Sequence, residues 1–204
     1  MSVPVVADAD TLFPATTRGL LIYLDYQGLI RLHWSALILD EVSRALVNTG
    51  RKKTLADAKA HEARMCDALP NAMIPVRDVQ AQFEAIETAV DSAKDTHVAA
   101  CAYYLISANA YPGTEAVVLI TRNTKDFKKS ALAKLGITLR QPDVFLSGLF
   151  EMQPRDFAAA FHQFRTDLIS RPAPEVLLER LRTDGQVQTA RALLASHQAG
   201  EARL

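Results

Sequence analysis

Short apolar runs alternate with stretches whose apolar residues recur at helical spacing along the first three quarters of the chain. Val3–Ala7 is rich in β-branched residues and reads as a buried strand. Pro14, Thr16 and Thr17 then open a helix whose Leu20, Leu21 and Leu24 fall at helical spacing, and Gly28 stops it. Residues 29–33 read as a second strand. Ser35 is suited to cap a helix carrying Ile38, Val42 and Ala45, with Glu41 near its start. The pattern predicts a helix over 54–69, a brief strand over 72–76 and a helical stretch over 79–89 with weaker periodicity. Asp95 stands at the head of a helix carrying Val98, Ala99, Ala102, Tyr103 and Ile106. Residues 117–121 form the clearest strand, and 137–139, after Gly136, read as another. From Pro154 onward strand signals stop, and 156–168, 175–182 and 186–196 read as helices separated by Pro172, Pro174 and Gly185.

Alternating strands and helices predict an α/β fold with a mainly parallel sheet flanked by helices, followed by a helical C-terminal extension. The expected organisation is a first domain over 1–150 and an extension over 151–204. A chain of 204 residues can bury a proper core, and 49% hydrophobic with 23% charged residues is ordinary for a folded, soluble protein. No stretch approaches membrane-spanning length and no basic segment precedes the first apolar run, so a cytoplasmic location is expected, with no membrane partner. Cys66 and Cys101 lack metal-ligand spacing and read as buried free thiols.

Asp8 and Asp126 follow apolar runs, and Glu41 and Asp95 lie near helix starts, so all four acids fall where strand and helix ends converge in an open α/β sheet. Two carboxylates about 4 Å apart repel by roughly 4 kcal/mol at an effective dielectric of about 20, so such a cluster needs protons or a cation. Hard divalent ions with a taste for oxygen ligands and phosphate, Mg²⁺ or Mn²⁺, suit it. The bland reading of Asp95 is a helix cap. The formal net charge is zero, with 23 basic and 23 acidic residues, which excludes a global basic field for nucleic acid and leaves local contacts only. Arg51, Lys52 and Lys53 in one loop, and Lys125, Lys128 and Lys129 beside Asp126, are the local candidates.

Four passages carry a family resemblance: Val5-Val6-Ala7-Asp8-Ala9-Asp10-Thr11-Leu12-Phe13-Pro14, Trp34-Ser35 with Ile38-Leu39-Asp40-Glu41, Asp95-Thr96-His97-Val98, and Ile120-Thr121-Arg122-Asn123-Thr124-Lys125-Asp126-Phe127. In this order and at these separations they resemble a PIN-domain ribonuclease, the toxin half of a VapC-type toxin–antitoxin pair. The helical tail resembles an extension found in one subgroup. The resemblance implies a three-layer PIN-like fold, with Asp8, Glu41 and Asp95 as acidic metal ligands and Asp126 as an additional acid at the site. Thr121 and Asn123 match the polar residues that support that acid through hydrogen bonds. Asp10 stands where the subgroup usually has Asn, an extra carboxylate that would hold a second cation, tune metal choice or point into solvent. The implied activity is Mg²⁺- or Mn²⁺-dependent hydrolysis of RNA phosphodiester bonds by an activated water, leaving a 5′-phosphate and a 3′-hydroxyl, with Arg18, Arg122 and Lys125 as candidate phosphate contacts. The implied partners are RNA, a small VapB-type antitoxin and a second copy in a homodimer.

Two rivals remain open at this point. Asp8-Ala9-Asp10-Thr11-Leu12 also matches the Asp-x-Asp-x-Thr signature of haloacid-dehalogenase-type phosphatases, with Asp8 as nucleophile, although that reading leaves Glu41 and Asp95 unused. A non-catalytic module that keeps the fold without the metal is the other. The five histidines show no paired metal spacing and read as packing or surface residues, and Phe157, Phe161 and Phe164 read as anchors of the tail helix.

Overall fold

A computed structural model describes residues 2–114 and 116–204. In chain order the elements are β1 (Val3–Ala7), α1 (Ala9–Leu12), α2 (Ala15–Tyr26), β2 (Ile30–Ser35), α3 (Ala36–Asn48), α4 (Leu55–Ala68), β3 (Met73–Ile74), α5 (Val76–Gln80), α6 (Phe83–Ile86), α7 (Thr96–Ser107), β4 (Val117–Ile120), α8 (Lys129–Lys134), β5 (Ile137–Arg140), α9 (Pro142–Met152), α10 (Pro154–Asp167), α11 (Pro174–Thr183) and α12 (Val187–Gln198). The five strands form one parallel sheet in the order β3-β2-β1-β4-β5, flanked by helices. The α/β class and the helical tail are therefore as the sequence pattern implies.

The chain divides into two compact units, one of Ser2, Pro14–Ile30 and Gln141–Leu204, the other of Val3–Phe13 and Arg31–Arg140. They do not follow a single linear boundary at residue 150. The first unit is helical and includes α2 and α9 with the tail. Gly19 is required there by close packing, since a Cβ at that position would collide with the ring of Phe164. Phe164 also stacks obliquely on Tyr23, with ring centroids 5.3 Å apart, and Phe157 meets Phe150 edge to face. Phe157 and Phe161 are fully buried, as anchors of α10 should be. Two helix starts in this unit are capped from a distance. Pro14 and Gln186, the residues at the starts of α2 and α12, offer no side-chain cap of their own. Asp184 supplies the first, accepting the Thr16 and Thr17 N–H groups at 2.9 Å. Asp143 supplies the second, accepting from Gln188 N at 2.9 Å and Thr189 N at 3.0 Å.

The second unit holds the sheet. Val5, Val6 and Ala7 are all fully buried in succession, the mark of a central parallel strand covered on both faces. The apolar face of α7, including Val98, Ala99 and Ala102, packs on β1 and β4. Thr54 forms a capping box with Asp57 at the head of α4, so that helix starts where the sequence indicates. The single helical stretch expected over 79–89 is instead broken into α5, α6 and a 3₁₀ turn over Glu87–Ala89. Val79, Ile86 and Ala89 are buried, but the backbone breaks after α5, where Gln82 N–H returns to Val79 O in a tighter turn. Cys66 and Cys101 are free; Cys101 is buried, while Cys66 is only half-buried. Among the described residues no helix is long and apolar enough to cross a membrane.

Candidate metal centre

Strand order fixes where a site can form. From β1 the chain winds outward through β2 to β3, then returns to the other side of β1 for β4 and β5. The order reverses between β1 and β4, and the crevice beyond the carboxyl ends of those strands is the usual ligand position in an open parallel sheet. Register places Ala7 opposite Ile120, so the next residues along, Asp8 and Thr121, emerge side by side at that crevice. Backbone bonds continue past the strands and fix both: Asp8 N–H donates to Ile120 O at 3.0 Å, and Thr121 N–H to Arg140 O at 3.1 Å.

Asp8 is buried and starts α1, its Oδ1 accepting from Ala9 N–H at 2.6 Å. The Thr121 hydroxyl donates to Asp8 Oδ2 at 2.8 Å. Asp10 is turned onto the segment after β4. Its Oδ2 accepts the N–H groups of Arg122 at 3.0 Å and Asn123 at 3.2 Å, and its Oδ1 accepts the Thr11 hydroxyl at 3.0 Å. The extra carboxylate thus ties the β1–α1 turn to the 121–123 loop and does not point freely into solvent. Asn123 Nδ2 donates to Asp126, as the resemblance implies, whereas Thr121 supports Asp8, with Asp10 within reach of the same hydroxyl, and not Asp126. The reason is register: Thr121 directly faces the end of β1, while Asp126 lies five residues on, at the end of a 3₁₀ turn.

Glu41 sits in the second turn of α3, whose start is capped by Ser35 at the carboxyl end of β2, and its Oε2 lies 3.7 Å from His97 Nε2. His97 is buried on α7, and that ring nitrogen has no hydrogen-bond partner among the described residues. Asp95 precedes α7 but its side chain makes no cap bond, so the capping role its position allows is left unused. The segment before it is pinned to the fourth acid: Asp91 N–H donates to Asp126 O at 2.9 Å, and Val90 bridges to Phe127.

These positions accumulate negative charge. Burial, followed by the neighbouring charge of Asp10 and a smaller contribution from Glu41, raises the Asp8 carboxyl from 3.8 to about 7, against the Thr121 and Ala9 hydrogen bonds. Glu41 is also raised, first by burial and further by Asp95 and Asp40, with His97 and Arg44 opposing. Asp95 is raised by burial and by Asp126 and Asp10, with a Ser92 hydrogen bond and His97 opposing. All four acids and Asp10 therefore share one electrostatic neighbourhood.

They do not form a closed cage. Among the described residues, no three Asp, Glu, His or Cys side chains lie together closely enough, as they stand, to hold a metal ion. Each acid is drawn to a different neighbour: Asp8 to Thr121, Glu41 toward His97, Asp95 to Ser92 and Asp126 to Asn123. The donor set nonetheless fits a hard divalent cation in chemistry and charge, because its candidate ligands are all carboxylate oxygens, and burial followed by neighbouring carboxylates raises three of them, Asp8, Glu41 and Asp95. Mg²⁺ keeps several waters and needs only one or two direct carboxylates, so an open arrangement suits it.

Of the candidate phosphate contacts, Arg122 and Lys125 are exposed on the loop beside Asp126, whereas Arg18 is buried on α2 in the helical unit. Sequence reading set His97 aside. Its one sign was adjacency to Asp95, since Glu41, which it approaches, lies far along the chain. Comparison with protein-family models, with curated proteins and with solved structures returns no match.

Proposed function

We propose that this chain is a metal-dependent endoribonuclease of the VapC toxin type, acting on RNA and held in check by a small VapB-type antitoxin, in the cytoplasm and as a homodimer. The observation that supports the reading is the chain of electrostatic links from Asp8 to Glu41, Glu41 to Asp95 and Asp95 to Asp126, with Asp8, at the carboxyl end of β1, raised to about 7. A structural role explains this poorly, since burial and mutual repulsion of these carboxylates work against folding. A Mg²⁺ or Mn²⁺ ion held by these four acids would neutralise them, activate a water and offset charge developing on the phosphate.

The chain's own groups complete the chemistry. Thr121 holds the Asp8 carboxylate in one orientation. Asp10 fixes the 121–123 loop, and Asn123 in turn fixes Asp126. His97 lies beside Glu41 with a ring nitrogen uncommitted. Single-stranded RNA is the expected substrate form, because an unpaired strand can bend a phosphate toward the acids.

The phosphatase alternative asks Asp10 to serve as acid and base at the substrate. Both of its oxygens are instead engaged, by Thr11 on one side and by backbone N–H groups on the other. The test uses purified protein with defined single-stranded RNAs and with p-nitrophenyl phosphate. Cleavage of RNA that requires Mg²⁺ or Mn²⁺ and is lost in folded Asp8→Asn and Asp95→Asn proteins supports the proposal. Phosphate release from the small ester without RNA cleavage sinks it.

A further inference from the structure

An acidic crevice repels the polyanion it is proposed to cut, so something must draw the strand in. The net charge is zero and supplies no overall attraction. The loop after α3 has what is needed. Arg51, Lys52 and Lys53 are consecutive, and no ion-pair partner is found for any of them among the described residues. By contrast, Lys128 on the other basic run pairs with Asp91 at 3.2 Å.

Local structure ties this loop to α1, the short helix that begins at Asp8. Gly50 ends α3 in the left-handed region, at φ 70°, and its N–H donates to Val47 O, while Lys52 N–H returns to Leu46 O at 2.9 Å. The Arg51 guanidinium then lies over the Phe13 ring, 4.3 Å from its centroid. Phe13 terminates α1, its N–H donating to Ala9 O at 2.8 Å, and α1 begins at Asp8. Five residues, about 7.5 Å at 1.5 Å per residue, separate the acid from the stacked arginine's platform. The helices α1 and α3 pack together, with Glu41 in the first half of α3 and Arg51 just past its end. A guanidinium stacked on a ring loses little further freedom when it binds, and its rim donors stay available for a phosphate's oxygens.

Building on the nuclease reading, we propose that Arg51, stacked on Phe13 and flanked by Lys52 and Lys53, is the phosphate clamp that holds single-stranded RNA a short way along from the scissile bond. Arg51 is a positioning residue, acting through the strand it holds. The competing structural role is to offset the negative end of the α3 dipole, which affects stability and leaves RNA binding untouched.

The test is fluorescence anisotropy of the full chain with an unstructured labelled oligoribonucleotide in EDTA, across a salt series, beside cleavage kinetics with Mn²⁺. Arg51→Ala should weaken binding about tenfold and lower the salt slope by about 0.7, the single-strand value for one phosphate. The triple Arg51→Ala, Lys52→Ala, Lys53→Ala change should lower the slope by about 2. Arg51→Lys should keep the slope and lose part of the affinity, and KM should rise in each variant while kcat holds. Wild-type slope and affinity in both Ala variants overturn the clamp, even if RNA is cut. Wild-type protein that binds RNA through this loop without cutting it upholds the clamp and overturns the nuclease reading. Wild-type protein that neither binds nor cuts RNA overturns both.

Discussion

In the helical unit, Asp143 and Asp184 each accept two backbone N–H groups and a threonine hydroxyl, from Thr189 and Thr17 respectively. In the sheet unit, Asp8 accepts one N–H and one hydroxyl while sharing its surroundings with Asp10 and Glu41, and Asp95 stands before a helix without capping it. The residue type is the same and so is the proximity to helix starts. The first pair meets unsatisfied donors and completes two helices; the second meets burial and other carboxylates. Acids that stabilise are surrounded by donors, and buried acids set among other carboxylates are candidates for a functional site.

Activity offers the sharpest contrast. Asp8→Asn and Asp95→Asn should each lower RNA cleavage by roughly 10³-fold or more, while Asp143→Ala and Asp184→Ala leave kcat within about twofold in protein that stays folded. Single-turnover cleavage assays with Mn²⁺ check both halves. Loss of activity through the caps alone would break the comparison.

Stability against pH comes next. Asp8 titrates near 7 in the folded chain and ordinarily near 3.8, so the folded state holds the proton more tightly. Its contribution is most favourable below about pH 4 and is lost as pH rises toward 7, by up to about 4 kcal/mol for this group. Urea melts in EDTA at pH 5 and pH 7.5 should show the metal-free wild type losing stability between the two, and Asp8→Asn losing markedly less. His33 adds a slope of opposite sign. Burial lowers it from 6.5 to about 4, so the unfolded chain takes up a proton first and stability falls as pH drops from 6.5 toward 4, by roughly 3 kcal/mol at most. Melts of His33→Gln set against wild type over that window isolate it.

Metal should then reverse the Asp8 penalty. At pH 7.5, Mn²⁺ at about 100 times its dissociation constant should stabilise wild type by about 2.7 kcal/mol and leave Asp8→Asn nearly unmoved. Thermal melts with and without the ion read this directly. Smallest of all, Asp143→Ala and Asp184→Ala should each cost about 1–2 kcal/mol, with or without Mn²⁺, as losses of helix caps do.

Much of this division was legible in the sequence, for identifiable reasons. Asp8 and Thr121 end apolar runs, and parallel pairing then brings them side by side. Glu41 follows from the Ser35 cap and the helical spacing after it. The role of Asp10 was not legible, because it depends on how the 121–123 backbone turns back, and no periodicity encodes that. The resemblance assigns Thr121 to Asp126, five residues along the chain, whereas the β1–β4 register sets it beside Asp8. The distant caps and the grouping of α2 with the tail rest on contacts spanning most of the chain, such as Asp184 with Thr16 and Phe164 against Gly19. The broken stretch over 79–89 keeps helical spacing of its apolar residues, so periodicity alone did not reveal the tight turn at Gln82.

Electron paramagnetic resonance of Mn²⁺ titrated into the folded protein at pH 7.5 asks whether these acids together bind a divalent ion. Saturable loss of the free-ion signal in wild type, abolished in Asp8→Asn and Asp95→Asn but retained in Asp143→Ala, is the expected result. A wild-type titration in which the ion stays free up to millimolar concentration contradicts the metal centre and the activity built on it.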